Sequence, residues 1–173
     1  ILPPDVNKSL LVFAPERTKD ADTPPGVPNA IRYGLAAVKN VGEGAMAAAI
    51  EERKKGEFKS LEDFCSRIDT KSVNKKTLES LVKAGAFDFT KEDRAAMFAR
   101  IDQALSSASS MQKDLKSGQG GLFDAIEMAP KRRGAKAQEV SVTPWTATET
   151  LDFEKELLGF YVSGHPLDNF RGH

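Results

Sequence analysis

The chain has 173 residues with 25 acidic and 25 basic side chains, so its formal charge at neutral pH is zero. No whole-chain basic field draws it to nucleic acid, and any such surface must be local. Hydrophobic residues make up 40% and charged ones 29%, a globular composition, with no apolar run of membrane-spanning length and no secretory signal pattern. The single cysteine, Cys65, excludes an internal disulfide and suits a reducing cytoplasm.

Residues 1–30 read as a lead-in. Pro3 and Pro4 forbid a helix interior, because proline lacks a donor and fixes φ. Leu10 to Phe13 reads as a short strand, and the proline-rich tract that follows, to Pro28, as a mobile loop. A helical stripe then begins, with Ile31, Leu35 and Val38 at i, i+4 and i+7. Beyond Val41-Gly42-Glu43-Gly44, a second stripe places Met46, Ala49 and Ile50 at i, i+3 and i+4. An apolar residue followed by G-x-G between two helical patterns is the signature of a helix-hairpin-helix. The glycines permit positive φ or close backbone approach. They also bare the N–H groups that open the second helix, where a phosphate is favoured. A helical corner with no ligand is the alternative reading.

A second pair follows. Ser60-Leu61-Glu62-Asp63 resembles a capping box, and Leu61, Phe64, Cys65 and Ile68 form one stripe. The chain turns over residues 69–73, Asn74 caps another helix with Leu78, Leu81 and Val82 on one face, and Gly85 ends it. Residues 31–88 thus read as two helix–turn–helix units in tandem, neither able to bury its stripe alone. Cys65 lies on the buried stripe and reads as a core residue, with no His or Asp spaced for nucleophilic work.

Lys71, Lys75, Lys76 and Lys83 cluster around the second turn, opposed by Glu79, while Lys39 precedes the first turn and Lys54, Lys55 and Lys59 follow its second helix. Any one of them taken singly is an ordinary solvated lysine. Beside two turns they form a phosphate-contact surface, assigned to Lys39, Gly42, Glu43, Gly44, Lys71, Asn74, Lys75 and Lys76. Such contacts position a duplex without reading it, and no helix carries the Arg, Asn and Gln that read base edges. Binding is therefore expected to be independent of sequence and sensitive to salt.

Thr90-Lys91-Glu92-Asp93 opens a fifth helix with Met97, Ile101, Ala104 and Leu105 inward, dissolving over residues 106–110. In the polar stretch beyond, Gln119, Leu122 and Phe123 stand in Gln-Gly-Gly-Leu-Phe. Adjacent large apolar residues in such a segment suit a peptide ligand; folding back onto the helices is the alternative. Residues 124–144 read as a flexible linker containing a basic run, Lys131 to Lys136. Thr146 to Glu149 is a capping box for a last helix with Phe153, Leu157 and Phe160 on its stripe, and His165-Pro166-Leu167 reads as a structural turn rather than a ligand or base.

Leu2-Pro3-Pro4-Asp5-Val6-Asn7, Ile31-Arg32-Tyr33-Gly34-Leu35, Phe58 to Cys65, Val73-Asn74-Lys75-Lys76, Ala84 to Asp88 and above all the run from Glu154 to Asp168 carry a further likeness. With these landmarks in order, the whole chain resembles the alpha (catalytic) subunit of bacterial DNA polymerase III in its region after the fingers. The resemblance implies a mainly α tandem helix-hairpin-helix bundle, with an extended N-terminal lead-in and a flexible C-terminal linker. It implies boundaries of 1–30 for the lead-in, 31–88 for the tandem, 89–123 for a helix with a clamp-binding peptide, 124–144 for the linker and 145–173 for a helix leading towards an OB domain. It implies that Gln119, Leu122 and Phe123 match the family's Gln-x-x-Leu/Met-Phe clamp motif, with Gly120 and Gly121 replacing larger residues. Expected partners are double-stranded DNA, the sliding clamp (beta subunit) and other holoenzyme subunits, with no membrane. The polymerase carboxylates that hold Mg²⁺ lie upstream in the family, so this chain, read as a piece of a longer cytoplasmic enzyme, is expected to be inactive alone, with no cofactor, metal ligand or catalytic residue of its own.

Rival classes are a tandem hairpin module from a repair or recombination enzyme, a protein-interaction module, and an error-prone relative of the polymerase.

Overall fold

The structure, a computed structural model, describes residues 1–19, 24, 26–116 and 142–164. These residues form a mainly α bundle built of α1 (Glu43–Glu52), α2 (Leu61–Arg67), α3 (Lys75–Lys83), α4 (Arg94–Ala99), α5 (Ile101–Lys116) and α6 (Ala147–Leu158). Two short antiparallel strands, β1 (Ala14–Glu16) and β2 (Ala30–Arg32), pair in the register Ala14↔Arg32, Pro15↔Ile31 and Glu16↔Ala30.

The lead-in departs from expectation in two places. The strand is Ala14–Glu16 rather than Leu10 to Phe13, because the carbonyls of Leu10 and Leu11 instead accept the N–H groups of Leu35 and Ala36 at 2.8 and 3.0 Å. The stripe from Ile31 is not helical. Ile31 is 48% exposed on β2 while Arg32 and Tyr33 are buried, and only Leu35–Ala37 coils, as a single 3-10 turn. Pairing with residues 14–16 supplies backbone partners that local spacing cannot reveal. Gly34 permits the crossing, since a Cβ there would lie 2.5 Å from the Val12 carbonyl carbon.

The caps follow local chemistry. Ser60 accepts from the Asp63 N–H at 3.0 Å, although the Asp63 carboxylate accepts from Lys59 rather than Ser60. Asn74 accepts from the Thr77 N–H at 2.9 Å. Thr146 and Glu149 complete a reciprocal capping box. Gly85 ends α3 at φ +85°, and a Cβ there would also meet Arg94 at 2.4 Å, so conformation and space both demand glycine.

The expected fifth helix is two helices. Lys91 sits at φ 61° and interrupts any start at Thr90, so Asp93 caps α4 through the Ala96 N–H at 3.0 Å. Nor does the chain dissolve at Ser106. α5 runs on to Lys116 because Ala104 and Ala108 are buried in its packing on α2, and burial outweighs the weak helix preference of the serines.

Phe58, Phe64 and Phe87 meet edge-on with centroids 4.8 and 5.3 Å apart. They lie in a core that includes Leu61, Leu78, Leu81, Met97 and Ile101. Burying each such side chain contributes about 1.5–3 kcal/mol. Cys65 belongs to this core, and burial, helped by Glu62, pushes its thiol up to about 12.

α6 packs on α3. At its start Trp145 stands edge-on to Phe98 and Phe153 at 5.5 and 4.8 Å. Glu154, fully buried, accepts from the Val162 and Ser163 N–H groups at 2.8 and 2.9 Å, from the Ser163 hydroxyl, and from Arg94 at 3.3 Å. No helix of the described residues is long and apolar enough to cross a membrane. Gln119, Leu122, Phe123, residues 124–141 with the basic run, and residues 165–173 lie outside the described residues.

Candidate nucleic-acid interface

The first turn is built on Asn40. Of the two uses expected of its glycines, positive φ or close backbone approach, the first is not taken up: Gly42 has φ −78° and the left-handed residue is Asn40, at φ 66°. Asparagine tolerates that conformation better than most side chains, which is the signal in the sequence that points to it. Gly42 precedes α1 with no side-chain cap, and the first helical N–H groups have no intrahelical acceptor. A Cβ on Gly42 or Gly44 would meet nothing within 4 Å, and Gly42, Glu43 and Gly44 are all exposed. Glu43 therefore enters this surface through its backbone N–H, its carboxylate being of the wrong sign for a phosphate.

The second turn is wound by Asp69. Its carboxylate accepts the Lys71 N–H at 3.0 Å, and its carbonyl accepts from Ser72 and Val73 at 2.9 and 3.2 Å. Asn74 then opens α3 with Lys75 and Lys76 exposed behind it.

Two contacts bring the turns together. The Thr77 hydroxyl lies 3.2 Å from the Asn40 carbonyl and 3.1 Å from the Asn74 amide oxygen, and the Asn40 amide donates to the Ser80 hydroxyl at 3.3 Å. The first turn is thus seated on the N-terminal half of α3, which Asn74, Lys75 and Lys76 open. Thr77, Ser80 and Asn40 were not singled out in the sequence, and only Asn40 carries a local signal.

The lysine surface is narrower than expected. Lys39, Lys71 and Lys76 are exposed. Lys75 pairs with Asp102 of α5 at 2.7 Å, and this carboxylate raises its pKa. Lys54 and Lys55 pair with Glu51 and Glu52 at the far end of α1. Lys59 lines a surface cavity with Asp5, Asn7 and Lys8. Lys83 is withdrawn altogether, its ammonium 4.5 Å from the centroid of Phe153 and 5.1 Å from that of Phe98. What remains is a surface of backbone and lysine donors. Among the described residues no His, Cys, Asp and Glu side chains converge as a group able to hold a metal.

Comparison with known proteins finds relatives along nearly the whole chain. The chain is 39% identical over 98% of its length to a Vibrio cholerae protein named DNA polymerase III subunit alpha. It is 41% identical over 98% to the Aquifex aeolicus protein of that name, and 37% over 98% to that of Escherichia coli K12. It spans only 14%, 12% and 14% of those relatives' own lengths. The family model described as helix-hairpin-helix motif matches residues 1–97, over half of the 173, and with two turns seated on one helix the chain belongs to the helix-hairpin-helix motif family.

Proposed function

We propose that this chain is the duplex-binding and clamp-tethering part of a replicative DNA polymerase, acting in the bacterial cytoplasm. The observation that carries the DNA reading is the seating of Asn40 on Thr77 and Ser80, which sets both turns beside one another. A phosphate approaching them meets the uncapped N–H groups of Glu43 and Gly44, the exposed ammonium groups of Lys39, Lys71 and Lys76, and Lys75 at the cost of its pair with Asp102. These are backbone contacts, so affinity is independent of base sequence and falls steeply with salt. The open space over Gly42 and Gly44 suits close approach of a phosphate to the backbone.

The polymerase setting is supported by the likeness of nearly the whole chain to relatives of that name. In this reading Gln119, Leu122 and Phe123 dock on the sliding clamp, while other holoenzyme subunits bind elsewhere on the longer protein. Two linked contacts must then fail together for the enzyme to leave its template, and effective concentration supplies the avidity. In this reading the nucleotidyl-transfer step and its Mg²⁺ belong to the longer enzyme.

The test is titration calorimetry of the 173-residue chain against the sliding clamp, with Leu122→Ala/Phe123→Ala beside the unaltered chain, and against duplexes of unrelated sequence at graded salt. Loss of clamp heat in the double variant, with duplex binding intact and equal across sequences, is expected. Clamp binding unchanged by the double variant overturns the tether, and a strong preference for one duplex overturns the backbone reading.

A further inference from the structure

The two turns are not held by their own repeats alone. The first unit lacks an α-helix before its turn and has only the 3-10 turn Leu35–Ala37. Its support comes from far along the chain. The Lys39 N–H donates to the Leu157 carbonyl at 3.1 Å. The Tyr33 hydroxyl lies 3.0 Å from the Leu158 carbonyl and 3.1 Å from the Ala37 carbonyl. The Leu157 and Leu158 carbonyls are orphan acceptors at the end of α6, which Gly159 terminates at φ 84°. Tyr33 is 3% exposed, stacked at a tilt with Phe13 and Phe160, and burial raises its pKa, so the hydroxyl stays a donor. Val38 is buried with Leu157 and Leu158 in the same small cluster.

The second turn is held in a parallel way. Gln112 of α5 donates its amide to the Ile68 carbonyl at 2.9 Å, and its amide oxygen lies 3.2 Å from the Thr70 hydroxyl and 3.4 Å from the Thr70 N–H. One side chain therefore bridges the last carbonyl of the α2 side and the first residue of the turn. Tyr33 is buried and Gln112 half-buried.

We infer that Tyr33, through the carbonyl end of α6, and Gln112, from α5, are positioning residues that fix the two turns for duplex binding. The inference rests on the duplex reading above and adds its geometry. The helices outside the tandem repeat set the placement of the donors, so the DNA contact depends on residues 101–116 and 147–158 as well as on the turns.

Tyr33→Phe and Gln112→Leu remove the polar ties while keeping the bulk of each side chain. Each is tested in the 173-residue chain by amide hydrogen exchange and by duplex anisotropy over a salt series. Lys39 and Val41 amides are expected to exchange faster in Tyr33→Phe, and Thr70 to Val73 amides in Gln112→Leu, with amides in the Phe58–Phe64–Phe87 core unchanged. Duplex affinity falls about three- to tenfold in each, the size of one lost hydrogen bond, and multiplies in the double variant. Circular dichroism at the assay temperature separates this from unfolding. If Tyr33→Phe unfolds the chain, Gln112→Leu alone decides through its own turn. Unchanged local exchange, or faster exchange with unchanged affinity, overturns the inference. If the unaltered chain binds no duplex, the duplex reading falls, and the exchange pattern still shows whether these residues fix the turns.

Discussion

The Thr77 hydroxyl touches the Asn40 carbonyl at 3.2 Å, and together with the Asn40 amide on the Ser80 hydroxyl this seats the first turn on the helix that the second turn opens. Thr77→Val keeps the shape of the side chain and removes the donor. Loss of one such hydrogen bond costs about 0.5–1.5 kcal/mol, so the urea midpoint falls with the slope unchanged. Duplex affinity falls at the same time, because the two sets of donors no longer share one frame. A lowered midpoint with full affinity would mean that the contact supports the fold and nothing more.

Gly44→Ala separates stability from function. Gly44 stands in the first turn of α1 with open space around it, and alanine is preferred to glycine in a helix by up to about 1 kcal/mol. The variant is expected to melt at a slightly higher temperature and to bind duplex DNA several-fold more weakly, since its methyl stands where a phosphate must approach. Calorimetric melting and anisotropy on the same samples check both halves.

Salt dependence counts the lysines. Lys71→Ala and Lys76→Ala should each reduce the slope of log affinity against log salt by about 0.9, the value for one phosphate contact. Lys75→Ala should change it less, because Asp102 already competes for that ammonium. Lys83→Ala should leave the slope unchanged and lower stability instead, through loss of its stacking on Phe98 and Phe153.

Glu154 makes stability fall in acid. Burial alone would raise its pKa, but the Ser163 hydroxyl, the Ser163 and Val162 N–H groups and Arg94 outweigh burial and hold it below its ordinary 4.5. A carboxyl with a lowered folded pKa contributes stability above 4.5 that is lost as pH falls from there through the folded value. Glu154→Gln removes this contribution and flattens that limb of the stability–pH curve. Glu154→Ala also leaves the Val162 and Ser163 N–H groups without their acceptor, while Arg94 keeps Asp88 at 2.6 Å, and is expected to cost about 1–3 kcal/mol. Denaturation midpoints between pH 3 and 7 (roughly the window set by that linkage) distinguish the three proteins.

Cys65, with its thiol pushed up to about 12, should resist a thiol reagent at neutral pH in the native chain and react at once in denaturant, because the thiolate is the nucleophile. Labelling at the same rate in both would remove Cys65 from the core.

Much of this arrangement is legible in the residues because its causes are local. Ser60, Asn74 and Thr146 announce helix starts by bonding backbone three residues away, and Leu61, Phe64, Cys65 and Ile68 bury as their spacing predicts. What the spacing misreads depends on distant partners. Ile31 fits a helical stripe, yet β1 recruits it into a strand. Lys83 fits a basic cluster, yet Phe98 and Phe153 take it. Ser106 to Ser110 favour a helix end, yet Ala104 and Ala108 find α2. Tyr33 and Gln112 offer no local sign at all, since each acts through carbonyls brought up by other helices. The glycines at 42 and 44 mark the first turn and leave its surface open, while Asn40 rather than a glycine takes the left-handed conformation.

The bond between Tyr33 and the Leu158 carbonyl joins residues 125 positions apart, and this imposes an order on synthesis. The Phe58, Phe64 and Phe87 core can close while α6 is still inside the ribosome, but Tyr33 then has only the Ala37 carbonyl of its own turn and the Lys39 N–H lacks the Leu157 carbonyl. The growing chain therefore acquires its compact body before its first turn is fully set, and that turn matures only as residue 158 emerges.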